Sequence, residues 1–194
     1  MIKRIIIGAV VGGVVMFIWG AIAWMLLPLH TATIKEVPNE DELRAVLKKN
    51  VTEPGFYVVP GWGHEGMTKE QHDAMMKVWE QKHREGPRMV GVLLPQGGDP
   101  MMAQYYVRGF ALDLLAAFVA AWLLSKAAAG LASYGARVQF VTVTGLFAGI
   151  AVHLPYWNWL EFPTDYTIAC MADVTIGWLL AGLAIGAVVK PATN

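Results

Sequence analysis

The chain has 194 residues, 15 Lys+Arg against 15 Asp+Glu, 56% hydrophobic residues and 15% charged ones. Soluble domains carry roughly 25% charged residues, so this composition excludes an ordinary soluble domain, and the even charge balance offers no basic surface for nucleic acid. The charges are also segregated, most of them falling between Lys35 and Asp99 with long apolar stretches on either side.

The first of these stretches, residues 5–27, meets the requirement of about 20 predominantly apolar residues for a membrane-spanning helix. Lys3 and Arg4 precede it in the manner of a signal peptide. The apolar run outlasts the roughly 7–15 residues of a signal core, and no small-x-small cleavage site follows at Leu26-Leu27-Pro28. It reads as a retained anchor, within a first segment of residues 1–30.

Residues 31–103 then leave the membrane and return to it. Pro38-Asn39 precedes a helical pattern running to Lys49, with Asn39 at the N-cap, Glu42 at the capping-box position and Leu43, Val46 and Leu47 as its apolar face. A strand fits residues 55–59, between Pro54 and Pro60. The glycine-rich loop "GWGHEG" at 61–66 leads to Thr68 and a second helix, which ends near Glu85 with Gly86 as its C-cap. Residues 88–94 ("RMVGVLL") read as a second strand. A strand–helix–strand unit of this kind predicts parallel pairing through a right-handed crossover. Two strands and two helices make a thin core, so this α/β domain is expected to lean on the membrane helices, the lipid surface or another protein.

Three more spans follow at 109–124, 138–156 and 167–189, within a last segment of residues 104–194. The expected fold is therefore a membrane all-α, four-transmembrane-helix bundle with a small α/β extracytoplasmic domain between helices 1 and 2. Lys3 and Arg4 precede the first span, Lys126 and Arg137 flank the turn between the second and third, and Lys190 follows the fourth. The short loop 157–166 holds Glu161 and Asp165 and no base. This distribution predicts cytoplasmic N- and C-termini, with residues 31–103 periplasmic or extracellular. Trp24, Tyr105 and Tyr106 fit the outer headgroup level, and Tyr156, Trp157 and Trp159 form an interfacial aromatic belt. A binding role is the alternative for the run "HLPYWNWLEFP" at 153–163.

Three ionisable residues lie within spans: Asp113, His153 and Asp173. At 100° per residue each shares a face with small or polar residues. Asp113 aligns with Ala116, Ala117 and Ala120, His153 with Gly149 and Thr142, and Asp173 with Gly177 and Ala184. The first span offers a matching stripe in Gly8, Gly12 and Trp19. Small faces are where membrane helices approach closely, so the three groups are expected to meet inside the outer end of the bundle. There they would form a proton or ion relay, a polar ligand pocket, or a staple in which one Asp is protonated or bonded to His153. Arg108 lies about 140° from Asp113 and is expected to snorkel to the headgroups instead.

Haem between His30 and His153 is chemically sensible, but His30 follows Pro28 outside the helix. In the outer domain His72, Met76, Trp79 and His83 share one helix face, and soft thioether and imidazole groups suit copper. Their spacing matches no compact ligand motif, and a Met/Trp stripe is usually core or a partner-facing surface. No cofactor is therefore predicted. No GxSxG, HExxH, Walker A, GxGxxG or CxxC is present, and the His64-Glu65 pair stands without ligands at fixed offsets. Cys170 reads as a small buried hydrophobe.

Gly8/Gly12, Gly145/Gly149 and Gly182/Gly186 form GxxxG pairs. Gly182 lies about 180° around its helix from Asp173, so an inward Asp173 turns the Gly182/Gly186 face toward lipid, another subunit or a second copy of the chain. The strings "HLPYWNWLEFPTDYT" and "EPGFYVVPG" resemble uncharacterised multi-pass inner-membrane proteins of bacteria over most of the chain. The resemblance implies a bacterial inner membrane and carries no activity or site residues. The leading expectation is a non-catalytic accessory or assembly subunit of a larger membrane complex. The alternatives are a small transporter or proton/ion relay using Asp113, His153 and Asp173, and an outer-face copper-handling protein using His72, Met76 and His83.

Overall fold

Four helices of the computed structural model, which describes residues 1–63 and 66–191, are long and apolar enough to cross a membrane. These are α1 (Ile2–Ala21), continued by a π-helical turn at Ile22–Leu26, then α4 (Ala103–Ala127), α5 (Tyr134–Trp159) and α6 (Thr164–Val188). Large apolar side chains stand exposed on all four, as a lipid surrounding requires. His64 and Glu65 lie outside the described residues. The chain divides into two compact units, Met1–Lys35 with Met101–Asn194, and Glu36–Pro100.

In the membrane unit α1 packs against both α4 and α6, and α6 packs in turn against α5. Glycines set these distances. A Cβ on Gly13 would stand 2.9 Å from the Leu114 Cα of α4, and one on Gly12 would stand 2.7 Å from Ile185 Cδ1 of α6. One on Gly145 would overlap the Trp178 ring of α6. The core gathers Ile5, Ala117, Ala120, Ala121, Leu124, Val141, Ala181, Ile185 and Val189.

The Gly182/Gly186 face does not point outward as expected. Gly182 abuts the Val138 carbonyl of α5, and Gly186 abuts Val138 and Arg137. An outward face would require α6 to pack on one side only. This helix lies between two neighbours, α1 on its Asp173 side and α5 on the opposite side, so both faces are interior.

The start of α1 meets the residues that follow α6 at one end of this unit. Arg4 Nη1 donates to the carbonyls of Lys190 (3.1 Å) and Pro191 (3.0 Å). Arg137, only 5% exposed, donates through Nε to the Gly186 carbonyl at 2.9 Å and through Nη1 to Leu131 and Ala132. Gly186 lies in the last turn of α6, where carbonyls have no helical partner and the dipole favours a cation. The helix α4 begins earlier than its apolar run, because residues 103–108 extend it, so Asp113 sits almost three turns inside it rather than one.

The second unit contains α2 (Glu40–Asn50), β1 (Gly55–Val59), α3 (Lys69–Glu85) and β2 (Met89–Leu93). Acidic residues Glu40, Asp41 and Glu42 open α2, and Lys48 and Lys49 close it, which suits the helix dipole. Asn39 holds the N-cap position without a side-chain cap bond. Thr68 and Gln71 form a reciprocal capping box at the start of α3. Gly86 ends that helix at φ +68°, ψ −177°, a conformation that glycine adopts without a Cβ penalty.

The strands pair antiparallel, Gly55 opposite Leu93 and Val59 opposite Met89, which corrects the expected parallel crossover. The chain returns through α3, whose rise is roughly 25 Å, to the strand end it left, where Val59 faces Met89. Trp79 of α3 holds that end by donating from Nε1 to the Pro60 carbonyl at 3.2 Å.

Candidate functional site

The polar centre of the membrane unit lies where α1 ends. The Leu27 N–H bonds to the Ile22 carbonyl at 3.0 Å, one residue beyond the α-helical spacing. Such π-turns widen a helix locally and recur at functional positions. Pro28 then stops the helix, and a short 3₁₀ turn at Thr31–Thr33 follows. Thr33 donates to the His30 carbonyl from its hydroxyl (2.8 Å) and from its N–H (2.9 Å). This fold-back lays the His30 ring parallel on Trp24, with centroids 3.9 Å apart and an 8° interplanar angle.

His30 is 1% exposed, and its Nε2 meets Asp173 Oδ2 of α6 at 2.9 Å. The other carboxyl oxygen, Oδ1, accepts from Trp19 Nε1 of α1 at 2.6 Å, and the same N–H reaches the Asp173 carbonyl at 3.1 Å. Gly177, one turn later, makes room for that indole, because a Cβ there would stand 2.9 Å from Trp19 Cδ1. Both Asp173 oxygens thus have an N–H donor. With the hydrogen on Nε2, His30 donates to Asp173 Oδ2. Its Nδ1 is buried and has no hydrogen-bond partner among the described residues. Chemically, the arrangement holds one carboxyl group with two N–H donors and ties the exit of α1 to α6.

The three intramembrane residues expected to gather share no hydrogen bond or ion pair among the described residues. Asp173 is partnered by His30 and Trp19 in place of His153. His153 is half-buried on α5, one turn beyond Gly149, and makes no hydrogen bond among the described residues. Asp113 is half-buried on α4 and makes neither a hydrogen bond nor an ion pair among the described residues. Arg108 turns away from it, Nη2 reaching Gln104 Oε1 at 3.4 Å, as the helical angle requires. The matching stripe on α1 does meet its neighbours: Gly8 and Gly12 face Ile185, and Trp19 faces Asp173.

In the aromatic belt Tyr156, Trp157 and Trp159 are all exposed. Trp157 Nε1 donates to Thr164 Oγ1 at 3.1 Å, and Tyr156 packs on Phe162 at 5.6 Å, so two of the three also close the α5–α6 loop. Cys170 is buried and forms no disulfide. On α3, the His83 ring packs on Trp79 at 4.6 Å and its Nε2 meets Arg88 Nη1 at 3.0 Å. His72 is exposed, with Nδ1 3.8 Å from Asp73, and Met76 is half-buried. No group of three or more His, Cys, Asp or Glu is arranged to hold a metal among the described residues.

His30 is the residue that sequence reasoning missed. It lies outside a regular helix, where helical periodicity says nothing about facing. Its signals were Pro28 ending the helix, Trp24 within stacking reach and Thr33 three residues on. No protein-family model, curated protein or solved structure matches this chain.

Proposed function

We propose that this chain is a non-catalytic integral membrane protein of the bacterial inner membrane, an accessory or assembly subunit of a larger membrane complex. In this reading both termini are cytoplasmic and the unit Glu36–Pro100 lies on the outer face. The observation that carries the reading is the poor closure of that unit. Neither α2 nor α3 has a buried residue. Phe56 and Val92, opposite each other in the sheet and so on one face, are 59% and 66% exposed. Trp62 and Val78 are exposed as well. The sheet has only two strands, so each has an unpaired edge. An apolar surface of this kind calls for a covering partner.

Orientation rests on Arg4, Lys126, Arg137 and Lys190, set against an α5–α6 loop without a base. A proton or ion relay finds less support, because Asp113, His153 and Asp173 share no hydrogen bond. The copper reading is weakened in the same way, since His83 Nε2 is engaged by Arg88.

With a tag after Asn194, gently solubilised source membranes run on native electrophoresis with mass spectrometry should give one large band of fixed composition. Phe56→Asp combined with Val92→Asp should shift the chain to monomer size while leaving its melting temperature in detergent unchanged. Wild-type protein running at monomer size would end the subunit reading.

A further inference from the structure

We infer that Asp113 is the contact for a partner transmembrane helix carrying a lysine or arginine at the same depth. This rests on the subunit reading and names the chemistry of one partner. A carboxylate within hydrocarbon is costly, and such groups pair with one another or meet water.

Several other charged groups of the membrane unit have partners within the chain. Asp173 has His30 and Trp19. Arg4 and Arg137 serve backbone carbonyls, Arg108 serves Gln104, and Lys126 stands 5.7 Å over the Trp122 ring. None reaches Asp113, which stays without a hydrogen bond or ion pair among the described residues.

Asp113 lies about 15 Å along α4 from Ala103, at the edge of the seam with α1. On the seam side Phe110 meets Phe17 at 5.3 Å, and Leu114 packs on Gly13. The other side is open. At Gly109, one turn earlier, nothing lies within 4 Å of where a Cβ would stand, and Leu112 is 65% exposed. Gly109 and Ala116 leave a shallow, small-residue surface on which a second helix can approach closely. A second copy of this chain does not fit that role. Arg108 already serves Gln104, Lys126 lies about 20 Å along α4 from Asp113, and self-pairing across this face would set Asp113 against Asp113.

The test uses the full chain, fluorescently labelled at a tag after Asn194, in phosphatidylcholine vesicles. The probe is a synthetic Leu/Ala transmembrane helix with one arginine at the depth of Asp113, compared with the same helix bearing leucine there. Energy transfer should show the arginine helix binding about tenfold more tightly. Asp113→Asn should abolish that preference and Asp113→Glu should keep it, with the melting temperature unchanged in both. Equal binding of the two helices, or a preference that survives Asp113→Asn, overturns the inference. Asp113-dependent transfer between two labelled copies of the chain overturns it too, by assigning the face to self-association. If the preference fails while wild type still migrates in a large native complex, only the inference falls. A monomeric wild type removes the subunit reading itself.

Discussion

Asp173→Ala should lower the melting temperature of the detergent-solubilised protein by on the order of 10 °C. The substitution removes the acceptor from two donors at once, His30 Nε2 and Trp19 Nε1. Each buried donor left without a partner costs about 1–3 kcal/mol. Trp19 keeps the Asp173 backbone carbonyl at 3.1 Å, so the greater part of the loss falls on His30. Asp173→Asn should lose less than half as much, since its carbonyl oxygen still accepts one of the two N–H groups. His30→Gln, which presents an N–H donor on a chain of similar reach, should also be milder than His30→Ala. A melting temperature for Asp173→Ala within a degree or two of wild type would show that the pair holds nothing together.

The second large effect is expected at Gly145. A Cβ there would overlap Trp178 Cγ, so α5 and α6 would have to separate or the indole swing out. Overpacking of this kind costs about 3 kcal/mol, and Gly145→Ala should show that loss in melting or denaturant titration. The effect belongs to a pair, so Trp178→Leu introduced with Gly145→Ala should recover at least half of it. A double variant less stable than the sum of its single losses would mean that the contact at Gly145 is not the cause. Gly109, with open space around it, makes a useful contrast: alanine there should be neutral.

The spans were legible in the sequence because their signal is additive. A score of apolar residues in a row outweighs any local detail, and the segregation of charge between Lys35 and Asp99 marked where the chain leaves the apolar helices. Facing was legible for one pair of stripes: the 100° rule brought Trp19, Gly177 and Asp173 onto matching faces, and these residues meet. It failed in two physically distinct ways. For α6 it located the Gly182/Gly186 face correctly but could not say what covers it, since helix order is set by the whole set of contacts. For His30 it had nothing to work on, because a π-turn, Pro28 and a 3₁₀ turn carry the chain out of helical periodicity before that residue is reached.

The second unit repeats the lesson at the level of topology. Strand bounds, helix bounds and the Gly86 cap followed from short-range signals of turn and propensity. The direction of β2 depended instead on whether the 60–68 connection or α3 sets the net displacement between the strands. Propensity does not decide between those two.

The proposed outer-face unit requires that the α4–α5 turn and the unit Glu36–Pro100 lie on opposite sides of the membrane. Single cysteines placed at Gln96 in the second unit and at Gly130 in the α4–α5 turn, in a Cys170→Ser background, report this directly when intact cells are treated with a membrane-impermeant maleimide. The predicted result is labelling of Gln96→Cys in intact cells and of Gly130→Cys only after permeabilisation. Labelling of Gly130→Cys in intact cells would contradict the orientation, and with it the assignment of the unit Glu36–Pro100 to the outer face.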